Sequence, residues 1–350
     1  MSMADKVFVI AEAGVNHNGD EQRALDMVDV AAHAGADAIK FQSFSADKLV
    51  GVSAEKAEYQ KRGTGEGSQH AMLKALEMSD ALHEALVARC AAAGIEFMST
   101  PFDEDAADML VGLGMRRIKV PSGEITNHPF LRHLAGKDRP LIVSTGMATM
   151  AEIADALDVI AKARAVRGFI APLEEMVTVL HCTSNYPAEA ADVNLRAMRT
   201  IAEETGMPVG YSDHTLGLPV STAAVAMGAT VIEKHFTLDR ALPGPDHGAS
   251  LTPDELAALI AQIRTVEVAL GSPVKAPTEA ELPMRAIARR SVAAARDLSA
   301  GTILTRGDLA LLRPGSGIAP RHLDEIGGRI LARDIAHGAP LAWEDLTAGA

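Results

Sequence analysis

At 350 residues the chain is longer than one average domain and can bury a large core with a smaller unit attached. Its 48% hydrophobic and 23% charged residues are ordinary for a globular protein, and a net charge of −13 argues against nucleic acid or an anionic membrane surface as a partner. No stretch approaches the roughly 18 uninterrupted apolar residues of a membrane span, and the N-terminus lacks a basic, then long apolar leader, so a cytoplasmic protein is expected. Apolar, strand-like runs then alternate with Ala- and Leu-rich helical segments. The runs end near Ala11, Phe41, Met98, Val120, Val143, Leu180, Tyr211 and Ile232. Eight strand-helix repeats over about 270 residues predict a (β/α)8 TIM barrel, an α/β fold, with an open doubly wound sheet as the alternative. VFVIA, LIVS and MVTVL are apolar throughout, as parallel strands buried on both faces should be.

Polar residues cluster at the ends of these runs. Glu12, Asn16 and His17 follow the first, and Lys40 and Gln42 close the second. Lys119, Ser122 and Glu124 come at the fourth, Ser144 at the fifth, and His181, Ser184, Asn185 and Tyr186 at the sixth. In a barrel, the C-terminal ends of the strands form the active face. A helix cap explains a serine or an asparagine, but not Lys40 or Lys119 inside apolar strands, where burial is costly without an anionic partner. The seventh and eighth runs end in Ser212-Asp213-His214 and Glu233-Lys234-His235, separated by a helical stretch, Leu218–Met227. The two histidines fall on one rim and can meet there, which suits a metal or catalytic site better than two unrelated surface residues.

The connection from about Ser43 to Ser79 is polar and much longer than the two to six residues usual in such units, enough to cover the active face or to be an idle excursion. Cys90 and Cys182 lie in apolar runs and are expected to be reduced core residues. Residues 1–274 are read as the catalytic domain. Residues 275–290, with prolines and mixed charge, are read as a linker, and 291–350 as a small, loop-rich β domain.

Together these motifs resemble the sialic acid synthases, which condense phosphoenolpyruvate with an N-acylated hexosamine. The resemblance is carried by IAEAGVNHNGD (10–20), AIKFQSF (38–44), FMSTPFDED (97–105), IKVPSGEITN (118–127), VSTGMAT (143–149), HCTSNYP (181–187), GYSDHTLG (210–217), EKHFTLD (233–239) and GPDHGAS (244–250). LLRPGSGIAP (311–320) resembles the antifreeze-like (SAF) domain of those enzymes. The resemblance implies that His214 and His235 bind a divalent metal, most often Mn²⁺, with Mg²⁺ or Co²⁺ as substitutes. It implies that Lys40, Lys119, Ser122, Ser144 and Ser212 clamp phosphoenolpyruvate, that Glu12 or Glu124 serves as acid or base, and that Gln42, Tyr186 and Asp246 lie near the sugar. Ser184 stands where some members carry Asn, with Asn185 beside it. Arg313 matches an arginine that crosses to the partner subunit in a domain-swapped homodimer. The expected activity is N-acetylneuraminate synthesis from N-acetylmannosamine, with N,N′-diacetyllegionaminate synthesis from a 2,4-diacetamido-2,4,6-trideoxymannose as the alternative. A metal-dependent hydrolase on the same barrel leaves the two lysines without a task, and a non-catalytic protein leaves the whole rim without one.

Overall fold

Eight strands form one parallel sheet: Phe8–Gly14 (β1), Ala38–Ser43 (β2), Glu96–Pro101 (β3), Ile118–Val120 (β4), Leu141–Ser144 (β5), Val177–Cys182 (β6), Val209–Asp213 (β7) and Val231–His235 (β8). They appear in a computed structural model that describes residues 6–347. The hydrogen-bonded order is β3-β2-β1-β8-β7-β6-β5-β4. The first strand pairs with both the second and the last, and β3 and β4 pack side by side at the seam. The sheet is therefore a near-closed barrel, as expected, and not an open doubly wound sheet.

Strand alternation sorts the side chains into two sets. Val9, Ala11, Ile39, Phe41, Ile118, Val143, Tyr211 and Ile232 belong to the large core that also holds the inner faces of helices such as Glu21–Ala34, Asp80–Ala93 and Pro253–Leu270. Ile10, Ala38, Met98, Ile142, Leu180 and Val231 form a separate cluster, the apolar plug of the barrel interior. Two residues further along the same strands come Glu12, Lys40, Thr100, Ser144, Cys182 and Glu233, so the layer above the plug is polar. Six of the eight strands run two to three residues past the apolar runs that predict them, because their last inward positions are polar.

The long connection after β2 is not structureless. It carries three short helices, Ala46–Leu49, Glu58–Thr64 and Gln69–Lys74. A β-carbon on Gly63 would lie 2.1 Å from the carbonyl oxygen of Gly244, and Gly244 N–H donates to the Gly63 carbonyl at 3.1 Å. Only glycine permits that approach, which pins the connection to the loop after β8.

The chain separates into two compact units at Gly271–Ser272. The second contains two antiparallel pairs, Ser291–Ala294 (β9) with Leu309–Leu312 (β10) and Ile330–Leu331 (β11) with Leu346–Thr347 (β12). Val292, Leu298, Leu304, Leu309, Ile326 and Leu341 make its own core. The segment expected as a linker carries a short helix, Leu282–Ala288. Among the described residues no helix is long and apolar enough to cross a membrane.

Candidate active site

The polar layer opens into a cavity of about 560 Å³ at the C-terminal end of the barrel. Register places its charged residues at one level: Glu12 lies opposite Lys40 on one side and His235 on the other, and Ser212 lies opposite Glu233. Lys40 Nζ is 2.6 Å from Glu12 Oε2 and 3.6 Å from Glu233 Oε2, and donates to Thr100 Oγ1 at 2.8 Å. Lys119 Nζ donates to Ser144 Oγ at 2.7 Å and sits 3.5 Å from Glu233 Oε1, which also accepts from Ser212 Oγ at 2.9 Å. All four charged groups are buried. Glu233 is the hub of the arrangement. Sequence reasoning gave it no role in the chemistry, although its alternation with Val231 and His235 is the signal that points it inward.

Burial sets the electrostatics and the neighbours divide its effect. Burial, with Glu233 adding to it, raises the Glu12 carboxyl against the pull of Lys40. Burial opposes ionisation of Glu233 as well, but Lys119 and Lys40 outweigh it and hold that carboxyl low. Burial and the Lys40 charge lower Lys119, whereas for Lys40 the two carboxylates overcome burial and raise it. The site thus holds a firmly ionised carboxylate between two ammonium groups, and a second carboxyl poised to carry or release a proton.

His214 and His235 meet above this layer with ring centroids 5.6 Å apart. Thr183 O lies 2.8 Å from His214 Nδ1, which therefore donates its proton there and leaves the Nε2 lone pair free. His235 is buried with its Nδ1 unpartnered, and burial, helped by His214 and Lys40, keeps its ring neutral. Both rings could hold a divalent ion. Among the described residues no three His, Cys, Asp or Glu form a ready cage, so two imidazoles would leave the remaining positions to substrate and water. Gly14, at φ +53°, ends β1 where a β-carbon would press on the His235 ring at 3.2 Å.

Gln42, Ser122, Ser144, Ser184, Tyr186 and Ser212 all line the cavity. Tyr186 lies 4.1 Å from the His214 ring and stacks on Tyr59 of the long connection at 5.0 Å. That connection, which the motifs left unassigned, supplies Tyr59, Gln60 and Gln69 to the cavity wall. Asp246 is buried beside Tyr59, Tyr186 and His235 in an adjoining recess, and burial raises its carboxyl to about 6. Two expected residues are not brought in. Glu124 does not line the cavity, and its Oε2 accepts from Asn127 Nδ2 at 2.6 Å because the turn after β4 faces it outward. Asn185 is exposed and accepts from Tyr186 N–H at 3.1 Å, leaving Ser184 as the strand-end residue that faces inward. Arg313 is an exposed residue of the second unit, just after β10.

The chain is 52% identical over 343 residues to an N,N′-diacetyllegionaminic acid synthase of Legionella pneumophila, covering 97% of this chain and 95% of that protein. It is 44% identical to an N,N′-diacetyllegionaminic acid synthase of Campylobacter jejuni, covering 94% and 97% of the two chains. Among solved structures, the N-acetylneuraminic acid (sialic acid) synthetase of Leptospira borgpetersenii, crystallised with citrate, matches with a TM-score of 0.69 and 35% identity, covering 80% of this chain and 90% of that one. Residues 289–347 match the SAF domain. Residues 27–275 match the model of the NeuB family, and the chain belongs to that family.

Proposed function

We propose that this enzyme condenses phosphoenolpyruvate with 2,4-diacetamido-2,4,6-trideoxymannose to give N,N′-diacetyllegionaminate and phosphate. One observation carries the choice of acceptor: the relatives at 52% and 44% identity both bear that activity in their names, against 35% for the N-acetylneuraminic acid synthetase. The first expectation, N-acetylneuraminate synthesis, therefore yields to its alternative.

In the proposed mechanism Lys40 and Lys119 clamp the phosphate and carboxylate of the enolpyruvate, with Ser122, Ser144 and Ser212 as hydroxyl donors. His214 and His235 would hold a divalent ion, Mn²⁺ in the first instance, which would supply Lewis-acid chemistry toward the sugar's open-chain aldehyde. C3 of the enolpyruvate attacks the aldehyde carbon, forming the new C–C bond as the carbonyl π pair moves to oxygen, which takes up a proton to become a hydroxyl, and leaving a cation at C2. Water adds at C2, and Glu12 takes its proton; Glu12 is chosen over Glu124 because it lines the cavity and Glu124 does not. The tetrahedral adduct then collapses with cleavage of its C–O bond, and phosphate leaves. Glu233 keeps both ammonium groups in position before phosphoenolpyruvate binds, and Lys40 and Lys119 stabilise negative charge on the phosphate in a partly dehydrated site. Phosphate release that requires the sugar and phosphoenolpyruvate together tests the reading. Release from a single substrate would indicate a hydrolase instead.

A further inference from the structure

The cavity has one wall unlike the rest. Phe44, Leu49, Leu73 and Phe102 belong to a satellite apolar cluster built by the long connection, and the same four side chains, with Val50, face the cavity. Two amides are set into this wall. Gln69 Nε2 donates to Gln60 Oε1 at 3.3 Å, and Gln60 Oε1 also accepts from Ala57 N–H at 2.9 Å. The Gln69 donor side is thereby engaged, while its Oε1 accepts no hydrogen bond among the described residues although the residue borders the cavity. Gln60, bonded to Gln69, lies against the Tyr59 hydroxyl, and both line the cavity, with the Tyr59 O–H as a donor.

An acetamido group carries an N–H that needs an acceptor, a carbonyl that needs a donor, and a methyl that needs apolar surface. This wall presents all three. The cavity also continues into a recess of about 80 Å³ bordered by Gln42, Tyr59, Tyr186, His235 and Asp246. That recess is bordered by His235, so it suits the acetamido group at C2, next to the reacting aldehyde carbon. Gln69, Leu49 and Val50 do not border it. They border only the main cavity, which leaves them for a substituent further along the sugar chain.

We propose that Gln69, set in the Leu49 and Val50 wall, is a specificity-determining residue that accepts the N–H of the sugar's second acetamido group, at C4. The inference rests on the proposed acceptor. Losing such a contact strands a buried polar group of the substrate, which is the strong way to discriminate between substrates. Gln69 is the first residue of a helix capped by Ser68, whose Oγ accepts from Ala71 N–H, so its side chain can be changed without disturbing the cap.

The test compares two acceptors that differ only at C4, the 2,4-diacetamido-2,4,6-trideoxymannose and 2-acetamido-2,6-dideoxymannose, by kcat/KM for phosphate release. The wild type should prefer the diacetamido sugar. Gln69→Leu should reduce that preference about ten-fold or more, and Gln69→Glu, which keeps an acceptor oxygen, should retain more of it than Gln69→Leu. Equal losses on both sugars, or an unchanged ratio, would overturn the assignment while leaving the proposed function standing. A wild type inactive on the diacetamido sugar would overturn both, and would show it before any variant was compared.

Discussion

Lys234 is 2% exposed and points outward from the barrel, away from the cavity, between the sheet and the helix Pro219–Ala226. Its Nζ donates to Asp213 Oδ2 and to the Thr215 carbonyl, each at 2.7 Å. Asp213 is saturated in turn: Ser221 Oγ donates at 2.5 Å, and Thr215 N–H and Oγ1 both donate at 2.8 Å. Each member of the pair immediately precedes one of the two histidines, so the bridge ties the ends of β7 and β8 together from behind the site. Lys234→Met removes the cation and leaves a buried carboxylate with neutral donors only. Breaking a buried pair in this way costs about 3–5 kcal/mol. Lys234→Met combined with Asp213→Asn removes both charges and should recover a substantial part of that loss, about 1–3 kcal/mol, as coupling between neighbours. The assay is urea unfolding followed by far-UV circular dichroism, because Trp343, the one tryptophan, belongs to the second unit and not to the barrel. Metal affinity of the folded variants, read by isothermal titration, should fall with the single substitution, since the histidine spacing loses its brace. A single variant within about 1 kcal/mol of wild type, the range of an exposed pair, or a double variant no more stable than the single, would refute the reasoning.

Two further predictions rest on the geometry, and a third, on Arg313, rests on the family resemblance alone. Glu12→Gln should lower kcat by about 100-fold or more, in the range of a lost acid-base group, whereas Glu124→Gln should stay near wild type; near-normal turnover of Glu12→Gln would return the base to Glu124. Burial, with the Arg23 charge, pushes both His17 and His247 down to about 4 from the usual 6.5. The unfolded chain then takes up protons before the folded one, so this stability is complete above pH 6.5 and is lost as pH falls toward 4; His17→Asn should flatten that slope in urea titrations, and an unchanged slope would exclude His17. Arg313→Ala should raise the KM for the sugar far more than the KM for phosphoenolpyruvate, and equal effects would remove Arg313 from the sugar site.

Much of the barrel could be read from the sequence because parallel strands buried on both faces leave unbroken apolar runs such as VFVIA and MVTVL. The ends of the strands were less legible. β1, β7 and β8 continue to Gly14, Asp213 and His235, past the point where the inward residues turn polar, and hydrophobicity alone stops too early there. The same effect hid Glu233, which only two-residue alternation with Val231 and His235 turns inward. Asn185 and Glu124 look as functional as their neighbours in the chain, and only the turns after β6 and β4 face them outward. Gln60 and Gln69 could not have been singled out. They sit in a long connection without periodicity, and reach the cavity because Gly63 and Gly244 touch.

The central claim is the identity of the acceptor, and the most direct measurement is the wild-type kcat/KM for phosphate release with Mn²⁺, phosphoenolpyruvate and each sugar in turn. The account predicts that 2,4-diacetamido-2,4,6-trideoxymannose is preferred over N-acetylmannosamine by about ten-fold or more, as a site with a dedicated polar contact should achieve. Turnover of N-acetylmannosamine that equals or exceeds it would contradict the account and make the enzyme an N-acetylneuraminate synthase.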